Sequence, residues 1–188
     1  MLIGIHGLRG VGKDTVANLI GIHAMRGAKA IAFADKLKEM LSNFFGVPLD
    51  NFYDQDLKEK VIPSLGMSPR DMMLKVQTPM KEAFGDAVFV DAVRRVYLSG
   101  AGYEPTEFNP LGVRNLICTD VRFPVEEAFI RQHGGRMIFV YRDTGKPQLD
   151  HPSEQGLMPL PTDIKIYNNG TLDELADVVA NVVAFENW

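Results

Sequence analysis

One stretch constrains this chain more than any other. Gly7, Leu8, Arg9, Gly10, Val11, Gly12, Lys13, Asp14 and Thr15 follow a short apolar run and precede a helical pattern. The spacing is G-x-x-x-x-G-K, and the strand before it and helix after it are the context a polyphosphate-binding loop requires. Glycines let the backbone wrap the ligand, turning successive N–H groups and the positive end of the next helix toward anionic oxygens. Lys13 then bridges the β- and γ-phosphates as a point charge. The hydroxyl residue that usually follows the lysine is replaced by Asp14, a carboxylate suited to magnesium directly or through water. Thr15 stays available for a phosphate oxygen. The bland alternative is a fortuitous glycine turn with an exposed lysine, and the strand–loop–helix context counts against it.

The rest of the chain repeats that alternation. MLIGIH reads as a buried strand, and a helix follows over about 13–26, with Val16, Leu19, Ile20 and His23 on one side and Gly27 as its stop. KAIAF (29–33) is a second strand, 35–45 a helix ended by Gly46, and 47–67 an irregular stretch. At Ser68, Pro69 and Asp71 a cap, a first-turn proline and a first-turn acid converge, opening a helix to about Phe84. Pro79 inside it requires a kink or an early stop. A helix over about 86–99 and a turn-rich loop over 100–113 come next. NLICT (115–119), RMIFVY (136–141) and DIKIY (163–167) are strands, and a helix opens at Pro124 and ends at Gly134-Gly135. Residues 142–162 hold four of the eleven prolines and read as a long, functional loop. Thr171 and Glu174 form a capping-box pattern that starts a last helix to about Phe185. Five strands alternating with helices predict a three-layer α/β domain around a mainly parallel sheet, and 188 residues suit one such domain.

Composition removes several classes of function. Lys and Arg number 20 against 24 Asp and Glu, a net charge of -4, which argues against a polymeric nucleic-acid partner. Cys118 is the one cysteine, so neither an internal disulfide nor a multi-cysteine zinc site can form, and a reducing compartment is expected. No apolar run approaches the roughly 20 residues that span a bilayer, and no basic region precedes the opening apolar stretch as in a secretory signal. The expectation is a cytoplasmic protein with no membrane partner.

Phosphoryl chemistry needs cations that hold two phosphates together, and three arginines stand where loops meet element ends. Arg70 lies in the first turn after Ser68-Pro69, Arg122 just beyond NLICT at the carboxyl edge of the sheet, and Arg142 at the head of the long loop. Each has an ordinary reading as a solvated or ion-paired surface charge. Asp120 could orient Arg122, hold a magnesium water, accept a proton or cap a helix. Lys38 could reach a substrate phosphate, although an exposed helical lysine is the simpler account. The four histidines lack metal-ligand spacing, and His6 reads as core. Phe44, Phe45, Phe52 and Tyr53 read as packing residues by default.

Taken in order, these blocks resemble the bacteriophage deoxynucleoside monophosphate kinases, a branch of the P-loop nucleoside monophosphate kinase superfamily. Gly12-Lys13-Asp14-Thr15 is similar to that family's phosphate loop, its Asp included, and Phe33 to Lys38 to the segment after its second strand. Ser68-Pro69-Arg70, Asp120-Val121-Arg122-Phe123-Pro124, His151-Pro152-Ser153-Glu154 and Ile166 to Leu172 resemble its remaining blocks. Met73 to Pro79 departs from the family's usual pattern on the acceptor side.

The resemblance implies a P-loop NTPase three-layer α/β/α fold with a helical acceptor-binding insertion and a lid loop. Residues 1–188 would form one kinase domain, with the acceptor region over about 35–112 and the lid over about 142–162. It further implies ATP as donor, Mg²⁺ near Asp14, and a nucleoside monophosphate as acceptor, with a homodimer as an allowed assembly. Gly7, Arg9, Gly10, Val11, Gly12, Lys13, Asp14, Thr15 and Asn168 would bind ATP, with Asn168 near the donor base. Lys38, Arg70, Asp120 and Arg122 would bind the acceptor, Lys13, Arg122 and Arg142 would be catalytic, and His151, Ser153 and Glu154 would belong to the lid. If of phage origin, the chain would work in the host cytoplasm. Two rivals stand beside this reading: another small-molecule P-loop kinase, such as one acting on a cofactor precursor, and a nucleotide-dependent ATPase or switch. The chain has neither a strand ending in an Asp-Glu pair nor an Asn-Lys-x-Asp motif, which counts against the second.

Overall fold

All five residues of β1 (Leu2–His6) are buried because this strand forms the middle of the sheet. The computed structural model describes residues 1–24, 28–99, 115–143 and 156–188. Within them β1 is followed by α1 (Lys13–His23), β2 (Lys29–Ile31), α2 (Asp35–Phe45), α3 (Asp50–Tyr53), α4 (Pro69–Phe84) and α5 (Val88–Ser99). Then come β3 (Leu116–Cys118), α6 (Pro124–Gln132), β4 (Arg136–Tyr141), β5 (Ile164–Tyr167) and α7 (Leu172–Glu186). The strand order is β2-β3-β1-β4-β5 and every pairing is parallel, with Gly4 opposite both Cys118 and Met137.

The chain divides into two compact units, 1–32 with 93–188, and 33–92. In the first, Ile3, Ile5, Ile138, Val140 and Ile166 pack under Val16, Ala17 and Ile20 of α1 and Leu175, Val179 and Val183 of α7. On the opposite face the sheet meets α6 so closely that a Cβ at Gly4 would lie 2.6 Å from the Met137 sulfur and 3.0 Å from Ile130. Helices on both faces make the three-layer α/β/α arrangement of a P-loop kinase, with a five-stranded, wholly parallel sheet. In the second unit, α2 and α3 pack on α4 around buried Leu37, Leu41, Phe52 and Met72.

Several expected boundaries shift for local reasons. The first helix stops at His23, where Ala24 turns extended while its N–H still reaches the Ile20 carbonyl; Gly27 lies outside the described residues. The second strand ends at Ile31, whose carbonyl takes the Thr119 N–H, and Phe33 leaves the ladder. The stretch 47–67, expected to be irregular, contains α3, a 3₁₀ turn at Leu57–Glu59 and an antiparallel bridge between Ile62 and Met67. It is held by polar turn bonds, such as Asp54 accepting from the Asp56 and Leu57 N–H groups, which leave no periodic signature. Pro79 neither stops α4 nor splits it. Pro79 and Lys75, whose carbonyl loses its helical donor, both lie on the exposed side, where solvent can satisfy that carbonyl. Phe44 is 80% exposed rather than core, while Phe52 is buried as expected. The caps at Ser68–Asp71 and Thr171–Glu174 form as the sequence predicts.

Candidate active site

Residues 7–12 span the gap between β1 and α1 at the carboxyl edge of the sheet. A Cβ at Gly7 would sit 2.5 Å from the Val140 carbonyl oxygen, so only glycine lets the loop leave β1 this close to β4. Gly12 is the N-cap of α1 in a left-handed conformation (φ 99°), and it supplies no side-chain cap to that helix, the kind of helix end that suits an anion. Val11 is buried and anchors the loop, whereas Arg9, Gly10 and Asp14 are exposed. Lys13 Nζ donates to the carbonyls of Gly7 at 2.7 Å and Leu8 at 2.8 Å, holding the ammonium over its own loop.

The turn after β3 is fastened to the strand that launches this loop. The Val121 N–H donates to the Ile5 carbonyl (3.1 Å), and the Val121 carbonyl accepts from Nδ1 of buried His6 (2.8 Å). A carbonyl only accepts, so Nδ1 carries the proton. Burial lowers the basicity of His6; the charges of Lys13 and Arg122 act in the same direction, against the Val121 bond and Glu127. The phosphate-loop lysine and Arg122 therefore act on one ring. Glu126, buried in the first turn of α6, accepts from the Arg122 N–H (2.7 Å) and the Phe123 N–H (3.0 Å), and Glu127 engages Arg131. Both acids that could have neutralised Arg122 have those partners, and among the described residues its guanidinium forms no ion pair. Asp120 does not cap α6, whose N-cap is Phe123.

The third edge of the site is built by the ends of β4 and β5. Arg142 is exposed just past β4. Asn168, just past β5, is buried and donates its side-chain amide to the Val11 carbonyl at 2.9 Å, while its backbone N–H meets the Tyr141 carbonyl at 2.7 Å. Asn169 Oδ1 accepts the Asp143 N–H (2.8 Å). Tyr141 and Tyr167 stack with centroids 5.3 Å apart. The phosphate loop, Arg122 and Asn168 thus belong to one bonded framework in the first unit.

In the helical unit, Arg70 forms an exposed ion pair with Glu59 (3.0 Å). Lys38 is not the exposed lysine that the helical pattern suggests: it is largely buried, bonded to Asp35 (3.0 Å) and set 4.0 Å from the centre of the Tyr53 ring, whose hydroxyl also donates to Asp35. His151, Ser153 and Glu154 lie outside the described residues. Sequence reasoning missed the His6–Val121 tie, the Glu126 cap and the tyrosine stack. Glu126 alone left a trace, standing three residues after Phe123 in a capping-box position.

Two comparisons bear on this framework. A family model described as deoxynucleotide monophosphate kinase matches residues 69–179, more than half of the chain. A protein of Acanthamoeba polyphaga mimivirus, provisionally named a deoxynucleotide monophosphate kinase, is 27% identical over 191 residues, covering 97% of this chain and 96% of its own length. The family match takes in Arg70, Asp120, Arg122, Arg142 and Asn168 but not residues 7–15. With the sheet order, the loop and the match over 69–179 all in agreement, this chain belongs to the deoxynucleotide monophosphate kinase family.

Proposed function

We propose that the protein transfers the γ-phosphoryl group of ATP to a (deoxy)nucleoside 5′-monophosphate, giving a diphosphate and ADP. The observation that carries this reading is the fastening of Val121, the residue before Arg122, to the strand that launches the loop over 7–12, through His6 and Ile5. Arg122, whose guanidinium suits bidentate phosphate contact, and Lys13 both act electrostatically on the His6 ring. The loop amides and Lys13 hold the donor phosphates, and Arg122 holds the acceptor. An acceptor phosphate oxygen attacks the γ-phosphorus while its bond to the β–γ bridging oxygen breaks, and ADP leaves with that electron pair. Positioning and charge stabilisation suffice, so no covalent enzyme intermediate is needed.

Magnesium, when bound with the nucleotide, neutralises the β- and γ-oxygens. Asp14, exposed in the first turn of α1, fits it as a carboxylate ligand or through water. Arg142 and the segment it begins would exclude water from the transfer. The roles of Arg70, Lys38 and Asp120 on the acceptor side rest on the family resemblance.

The test is ADP formation from Mg-ATP, with and without each member of a panel of deoxy- and ribonucleoside monophosphates. Strong stimulation by at least one monophosphate is expected, with loss on the order of 10³-fold in folded Lys13→Ala. Acceptor-independent hydrolysis would make the chain an ATPase. Stimulation only by another phosphorylated small molecule would move it to a different kinase class.

A further inference from the structure

Asn168 is expected near the donor base, and its side-chain amide bonds the loop over 7–12. It is buried, 6% exposed, and its Nδ2 donates to the carbonyl of Val11, a phosphate-loop residue 157 positions earlier in the chain. The contact has no slack. A Cβ added at Gly12 would lie 2.5 Å from that same nitrogen, so the amide occupies the space beside the loop's left-handed residue. The backbone of Asn168 is fixed in turn by its N–H bond to the Tyr141 carbonyl. The side chain therefore stands behind the peptide joining Val11 to Gly12, the stretch that leads into the N–H groups at the start of α1.

We propose that Asn168 is a positioning residue of the phosphate site: it sets the Val11–Gly12 peptide so that the loop's N–H groups converge on a polyphosphate, and it does not read the base. The assignment rests on the phosphate-loop reading given above. It makes the last strand of the sheet responsible for the shape of a loop built on the first. A side chain that contacted the base would alter ATP affinity alone. One that shapes the loop alters affinity for any polyphosphate, with or without a base.

The test is calorimetric binding of magnesium tripolyphosphate, ATP and GTP to the intact chain, without turnover, on wild type, Asn168→Ala, Asn168→Asp, Asn169→Ala and Lys13→Ala. Loss of one neutral hydrogen bond predicts that Asn168→Ala weakens tripolyphosphate and ATP by the same factor, roughly tenfold, and leaves the ATP-to-GTP ratio unchanged. Asn168→Asp keeps the shape but turns an acceptor toward an acceptor, so its loss should be at least as large. Asn169→Ala, which removes a bond to the Asp143 N–H rather than to the loop, should stay within about twofold of wild type.

Thermal midpoints without ligand separate a misshapen loop from a loosened fold. If the alanine protein fails to fold, Asn168→Ser retains a polar group too short to reach Val11 and should show the same loss. Unchanged tripolyphosphate affinity in folded Asn168→Ala, or a loss confined to ATP, overturns the proposal while tripolyphosphate binding that depends on Lys13 keeps the phosphate-loop reading intact. Absence of Lys13-dependent tripolyphosphate binding in wild type overturns both.

Discussion

A guanidinium can grip a phosphate with two parallel bonds, and an ammonium on a similar stem cannot. Arg122→Lys should therefore raise the monophosphate KM and lower kcat together, with ATP affinity by calorimetry nearly unchanged. Changes below about 1 kcal/mol would return Arg122 to an ordinary surface role. His6 offers a second test at this scale. Its folded proton affinity is lowered from 6.5, chiefly by burial, so the ring is neutral in both states above that pH. As pH falls through 6.5 the unfolded chain takes up a proton that the folded chain resists. Stability declines, and the decline ends once pH is also below the folded value. Asp71 and Asp163, both held below 3.8, add their losses only at lower pH. His6→Gln should therefore flatten the fall in melting temperature as pH drops below 6.5 and before the carboxylates titrate; an unchanged slope would assign it to other groups. The candidate site residues legible in the sequence were those in a motif of fixed spacing, such as Gly7, Gly12 and Lys13. The bond that fastens the turn before Arg122 was not legible, because a ring and a carbonyl 115 residues apart follow no local rule.

Among elements, the junction of α6 with the start of β5 is held by charge. Arg131 donates to Asp163 through two nitrogens, at 2.9 and 2.7 Å, and to Glu127 through two, at 2.9 and 2.6 Å. Burial would raise the Asp163 carboxyl, yet the Arg131 bonds and the Leu160 N–H hold it below its ordinary range. Its side chain is only 3% exposed. Arg131→Ala would strand that carboxylate and should cost about 3 kcal/mol, read as a lower denaturant midpoint with an unchanged m-value. A cost near zero would show that water and the Leu160 N–H satisfy the Asp163 carboxylate without Arg131. Helices with polar caps, such as α4 and α7, were readable because Ser68 and Asp71 lie within four residues of each other, as do Thr171 and Glu174. The 3₁₀ turn and α3 were not, since four residues are too few for a hydrophobic period to appear.

The parallel α/β/α architecture followed from alternation alone, because parallel strands joined by helices leave few topologies open. The two-unit division did not, since it falls between Ala92 and Val93 inside α5, where composition does not change. Ile3 and Ile5, buried in the middle of the sheet, should exchange their amide protons only on global unfolding, and Lys165 on the edge strand β5 much sooner. Equal rates would mean that the sheet opens as one piece. The central place of β1 has a price in synthesis. Both its neighbours, β3 and β4, lie more than a hundred residues downstream, so at roughly 5–20 residues per second the strand waits on the order of ten seconds for either. Through that interval the ribosome holds out an apolar strand with two open edges, and the phosphate loop it carries has no Val140 or Asn168 to rest against. On the function proposed above, nucleotide binding cannot guide the early stages of folding on the ribosome; it can reward only a chain whose fifth strand has already emerged.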